Sequence, residues 1–360
     1  MRSNNFKRDN HYVPRGYLKR WASSDGKLWS YRVLVSRSEV PLWKRVSTRG
    51  IGYHEHLYTR IVASGECDEL ERWLDVEFES PAEEAIQKVV SDRRLSPGDW
   101  RALARFFAAQ DVRTPARLVE NLGRWSQSLP ETMQEALQRS VARLEEISAE
   151  ERAVQGSEVL RDESIPFRVG IGKNSDADCG WIEVETVAGR GLWIWSIQYL
   201  LSRSAGLRAL ERHRWTILTP PDEMTWITSD DPVLKLNFNT PQKYDFGGGW
   251  GSPGTYLMLP LGPRHLLFTQ VGCRVPPRGS QMDRAKALFI RKLLAEHAHR
   301  HVFASSPDKS VPQVRPRIVD TAAFIHESSQ WKSWHAEQSQ AERQLMGWVN
   351  PNSNTSTSAT

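Results

Sequence analysis

At 360 residues, with 39% apolar and 25% charged side chains, the chain can bury a large core, and that balance excludes intrinsic disorder except at the ends. The net charge of +5 is uneven: residues 1–60 carry 13 Lys and Arg against four Asp and Glu, leaving about −4 elsewhere, which suits a polyanion touching one face as well as it suits a solvated arm. Cys67, Cys179 and Cys273 exclude a disulfide framework and a CxxC zinc site; together with the polar start MRSNNFKRDN and the lack of any bilayer-length apolar run, they point to the cytoplasm and away from a membrane.

In chain order, residues 1–65 form a basic N-terminal segment. It holds HYVPRGYLKRW and two strand-like runs, KLWSYRVLV and a stretch ending at His56-Leu57-Tyr58-Thr59. His11, Tyr12, Arg15 and Arg20 gather an imidazole, an aromatic ring and two cations suited to a phosphate or a base, while Tyr17, Leu18 and Trp21 suit a docked helix. Residues 66–155 are helical, with breaks at Ser96-Pro97-Gly98 and Ser128-Leu129-Pro130. Most of the 15 tryptophans are read as core, which leaves a few for a pocket where a planar ligand stacks.

The most informative stretch is residues 96–125. Ser96 is a good N-cap, Pro97 suits the first helical position and Asp99 the first turn. At about 100° per residue, Leu103, Ala104, Phe107 and Leu118 fall within about 60° of Trp100, and Asp111 falls at about 20°. A carboxylate on that stripe must be paired, protonated or employed. Pro115 removes the donor for the Asp111 carbonyl, so a kink is expected where Gln110, Asp111, Arg113 and Thr114 cluster. Asp111 is therefore a candidate catalytic acid, or a buried bridge to an arginine such as Arg113.

Residues 156–345 mix strands and helices. An apolar helix runs from about Leu192 to Leu210, and two hairpins are expected: WTILT with MTWIT across PPDE, and YLMLPL with HLLFTQ across GPR. Asp230 and Asp231 end a strand before Pro232, as an Asx turn or as cleft residues. A charged helix from Gln281 to about His301 would place His297 and His301 on one face. His54-Glu55-His56 is a second tempting cluster, but neither has a matching partner nearby and no metal is assigned. DFGGGWGSPG lacks a phosphate-loop lysine and reads as a mobile turn or a lid carrying Trp250. Residues 346–360 read as a disordered tail. The fold class is α+β, an antiparallel sheet packed by a helical layer, with one interdigitated domain favoured and residues 150–165 the best boundary otherwise.

Three segments, His11-Tyr12-Val13-Pro14, QDVRTP at 110–115 and SDDPV at 229–233, resemble the bacterial HYVP-motif family, a domain family of unknown function, over roughly residues 9–330. Members of that family look similar to proteins among phage-defence genes, and the resemblance implies a DNA glycosylase that excises hypermodified cytosine from phage DNA. On that reading Asp111, Gln110 and Asp230 are catalytic, and His11, Tyr12, Arg15, Arg20, Arg113 and Asp231 bind substrate, with no cofactor. Two alternatives remain: a nuclease using Asp230, Asp231 and His11 around magnesium, and a non-catalytic nucleic-acid-binding module.

Overall fold

The computed structural model describes residues 8–62, 65–146, 166–173 and 180–347. Cys179, the 150–165 boundary and most of the 346–360 tail lie outside the described residues. Helices and antiparallel sheets combine in an α+β fold. Among the described residues the chain divides into two compact units: 1–58, 68–117 and 197–335 form the first, and 59–67, 118–196 and 336–360 the second.

Among the described residues, the first unit contains two larger antiparallel sheets. One has five strands in the order Thr216–Leu218, His265–Gln270, Tyr256–Gly262, Leu234–Thr240 and Lys243–Asp245. The other has four, in the order Thr228–Ser229, His301–Ala304, Lys27–Arg32 and Trp43–Ser47. Leu234, Met258 and Leu266 from the first sheet, Tyr31 and Val302 from the second, and Leu293 and Leu294 from helix Arg284–His297 share one buried cluster. That burial is the main source of cohesion. The hairpin of YLMLPL with HLLFTQ forms, Leu259 facing Leu267.

The other expected hairpin does not form. Thr216–Leu218 pairs with the strand at 265–270, whereas Thr228–Ser229 pairs with the strand at 301–304. Pro220 and Pro221 offer no backbone donor, and the connection carries the chain from one sheet into the other. The charged helix also stops earlier than its pattern suggests. It ends at His297, and His301 opens a strand, so the two histidines do not share a helix face.

Ser96 caps helix Pro97–Val112 as expected: its hydroxyl accepts from the Asp99 amide at 3.2 Å, and the Asp99 carboxylate accepts from the Ser96 amide at 2.7 Å. A second helix starts at Pro115, so the bend at Pro115 is a full break across Arg113 and Thr114.

Helix Pro115–Glu146, which belongs to the second unit from Leu118 onward, runs through Pro130 without the expected break. Strands Phe167–Lys173 and Gly180–Thr186 pair antiparallel. Arg190, fully buried, donates to Glu342 Oε1 at 3.0 Å and Oε2 at 2.7 Å, and Oε2 also accepts from the Ile61 amide at 2.8 Å. Among the described residues no helix is long and apolar enough to cross a membrane.

Removing one partner of a buried ion pair strands the other charge. Glu342→Ala should therefore cost about 3–5 kcal/mol in the second unit, read as a lowered urea midpoint. An unchanged midpoint would show that the Arg190 pair contributes nothing net.

Candidate functional site

The three motif segments meet in the first unit. Strand Asp9–His11 pairs with Tyr53–Glu55, after which Pro14 caps the short helix Arg15–Leu18. Tyr17, Leu18 and Trp21 are buried, as docking requires, and their polar ends are satisfied. Tyr17 Oη and Thr228 Oγ1 share a hydrogen bond of 2.7 Å, and Trp21 Nε1 donates to the Trp226 carbonyl at 2.8 Å.

Arg113 holds the HYVP main chain. Its Nη2 donates to the His11 carbonyl at 3.0 Å and its Nε to the Tyr12 carbonyl at 2.9 Å, while Gln110 Nε2 adds a 2.8 Å bond to the Tyr12 carbonyl. Arg113 Nη1 meets Glu79 at 2.5 Å. Burial alone would lower the guanidinium's pKa, but Glu79, Tyr58 and Glu71 together outweigh it and the net shift is upward. Gln110 and Arg113, expected at the chemistry, are thus a clamp on backbone carbonyls.

Asp231 joins SDDPV to the same helix break: Thr114 Oγ1 donates to it at 3.1 Å and Arg117 Nη2 at 2.8 Å. Arg117 Nη2 also lies 2.9 Å from His297 Nε2, which therefore accepts and leaves Nδ1 to donate to the Asp231 carbonyl at 3.0 Å. Both nitrogens of His297 are engaged. Asp230 turns the other way, accepting three successive amides: His299 at 2.9 Å, Arg300 at 2.8 Å and His301 at 3.0 Å. The two neighbouring carboxylates take separate partner sets, so the magnesium pair considered from sequence lacks its two convergent ligands.

Asp230 lines a cavity of about 300 Å³ with Tyr12, Arg32, the 50–54 loop, Pro115 and residues 299–301; Glu327, Ser328 and Trp331 complete the wall. Burial, assisted by Asp231, raises the Asp230 pKa to about 7, even though the amides from 299–301 act to lower it. Burial holds His54 and His299 down to about 4 and His301 down to about 3, so all three imidazoles are neutral at physiological pH. The His54 ring is stacked between Tyr12, at 5.5 Å, and Trp331, at 3.9 Å. Arg300 pairs with Glu327 at 2.6 Å, and Arg32 lies over the Phe324 ring at 4.6 Å. The cavity therefore offers two cations, neutral hydrogen-bonding rings and one carboxylate that titrates near neutrality.

The other expected site residues lie elsewhere. Asp111 is buried but does not line this cavity; Lys235 Nζ and Trp250 Nε1 approach its Oδ2 at 2.9 and 2.7 Å, and Arg117 Nε lies 3.9 Å from Oδ1. Burial would raise its pKa, yet Lys235 and Arg117 bring it below the ordinary value. The bridging partners are Lys235 and an arginine, Arg117 and not Arg113. Trp250 is accordingly a pinned residue and not a free lid, its carbonyl also held by His213 Nε2 at 2.6 Å. Arg20 pairs with Glu83 in a separate groove of about 610 Å³ beside Tyr17 and Phe106. His11 and Arg15 line neither space; burial lowers the His11 pKa to about 4.

Of the nine residues singled out from sequence, Tyr12 and Asp230 reach the cavity. Arg32, His299, Arg300, Glu327 and Trp331 were not singled out, and His54 and His301 were weighed only as metal ligands. The alternating histidines of HAHRH were a usable signal, but a helical reading of 281–301 hid that His299 and His301 flank a helix-to-strand switch.

Asp111→Asn should retain the bond from Trp250 but strand Lys235, costing about 3–5 kcal/mol of stability. Thermal unfolding checks this: an unchanged midpoint would show that the Lys235 pair contributes nothing net.

A family described as "Protein of unknown function (DUF4238)" matches residues 9–308. No curated protein and no solved structure matches the chain.

Proposed function

We propose that this chain, which belongs to the DUF4238 family, is a cytoplasmic hydrolase that cleaves the N-glycosidic bond of a base in DNA, with Asp230 as its catalytic carboxylate. The observation that carries the reading is a buried carboxylate held by three main-chain amides on the wall of a cavity that also presents Arg32, Arg300 and neutral imidazoles. A volume of about 300 Å³ is at the small end of ligand pockets and suits one nucleoside-sized group.

In the step envisaged, an extruded nucleotide enters the cavity. Ionised Asp230 faces the sugar as positive charge develops there and takes a proton from the attacking water. The water oxygen bonds to the anomeric carbon, and the C–N bond breaks with its electron pair leaving on the base. Tyr12 and Trp331 bound the aromatic side, while Arg32 and Arg300 supply positive charge for phosphate. A hypermodified phage base as substrate, and hence a role in antiviral defence, follows from the resemblance of the three motif segments.

The sign of the pH dependence is fixed by Asp230. A carboxyl group with a pKa near 7 is ionised only above it, so base release should rise with pH through about 7. The histidines, titrating at about 4 and 3, should add no limb in that range. Mass analysis of bases freed from ordinary and phage-modified DNA tests the reaction. Asp230→Asn should reduce release at least about 100-fold. Strand cuts that vanish with a chelator, with no free base, would sink the proposal.

A further inference from the structure

We infer that the sheet face bearing the cavity continues outward as a cationic track for the phosphates of a nucleic-acid strand, with Lys44 and Arg49 as its outer contacts. The inference rests on the base-excision reading and narrows its substrate to a polynucleotide instead of a free nucleotide.

Strand register carries the argument. His301 lies opposite Arg32, Phe303 opposite Ser30, and Ser30 opposite Lys44. Residues directly opposite project to the same side, and a step of two along a strand keeps that side. Lys44, Ser30, Arg32 and His301 therefore share one face. Arg32 and His301 line the cavity, and Ser30 Oγ lies 3.2 Å from His301 Nδ1. Lys44 stands diagonal to Arg32 on the outermost strand, a separation of about 7–8 Å. Arg32 Nε is buried without a hydrogen-bond partner, so its guanidinium retains donor capacity.

Arg49 immediately precedes the 50–54 loop of the cavity wall. That loop is held in place: the Val13 amide donates to the Gly52 carbonyl at 3.2 Å, and Gly52 has a φ of 71°, with Val13 and Leu18 only 3.3 Å from where a Cβ would sit. Lys44 and Arg49 are exposed, and among the described residues neither forms an ion pair. Arg45, between them in sequence, belongs to the opposite face and is tied to Asp25 at 2.9 Å. Edge lysines also deter strand-to-strand aggregation, but that role does not require the cavity face. Phosphate tracking does.

The test uses the full chain and a labelled single strand of about 20 nucleotides, titrated at several salt concentrations. Lys44→Gln and Arg49→Gln should each weaken binding about threefold or more and flatten the salt slope by about 0.7, the single-strand value for one lost cation. Lys243→Gln, an exposed lysine on the edge of the other sheet, should leave both unchanged. Equal losses at all three positions, or none at Lys44 and Arg49, would overturn the track. If the track variants weaken binding while the wild type frees no base from any strand, the track stands and the excision reading fails. If the wild type frees base and the variants match it in binding and release, the reading stands and the track fails.

Discussion

The Asp230 carboxylate, accepting the amides of 299, 300 and 301, is the interaction on which the rest of the site depends. Helix Arg284–His297 has just ended there and strand His301–Ala304 has just begun, so these amides have no intrahelical partner and need an acceptor. One carboxylate satisfies all three. In doing so it aims His299, Arg300 and His301 at the cavity and keeps its own charge in a place from which water is largely excluded. Desolvation and Asp231 work against that charge while the amides favour it, and the balance near neutrality is what gives a carboxylate both a settled geometry and an accessible proton.

Around this carboxylate the motif segments act as fasteners. Arg113 and Gln110 bind the main chain of HYVP, Thr114 and Arg117 bind Asp231, and Tyr17 meets Thr228. Each bond joins segments about 100 residues or more apart. Buried arginines and acids are costly unless every group is engaged, and here the engagement itself brings Tyr12 to the cavity wall and turns Asp230 towards it. Residues that read as chemistry thus have a positioning role, and the cavity groups stand one layer beyond them.

The electrostatic character of the cavity follows from burial. Three imidazoles that would be partly charged in water are neutral here, which leaves Arg32 and Arg300 as its cations and Glu327 and Asp230 as its acids. Glu327 is tied to Arg300, so the carboxylate without a side-chain cation against it is Asp230. Neutral rings can donate at one nitrogen and accept at the other, which suits a polar ligand better than a row of competing charges would.

The α+β class, the Ser96 cap, the interruption at Pro115, the hairpin across GPR and the burial of Asp111 were all legible in sequence, because each follows from local rules of period, capping and proline geometry. The same rules identified three segments worth attention. They could not tell which acid of the set faces a cavity, since that depends on Lys235, Trp250 and Arg117 closing around Asp111 while three amides from 299–301 close around Asp230. They also paired 215–219 with 224–228, because a turn signal says where the chain reverses and not which sheet receives it next. Sequence by itself determined the elements and the residues too polar to bury alone. The tertiary structure decided their partners, because partner choice is made between residues distant in sequence, where no period or cap applies.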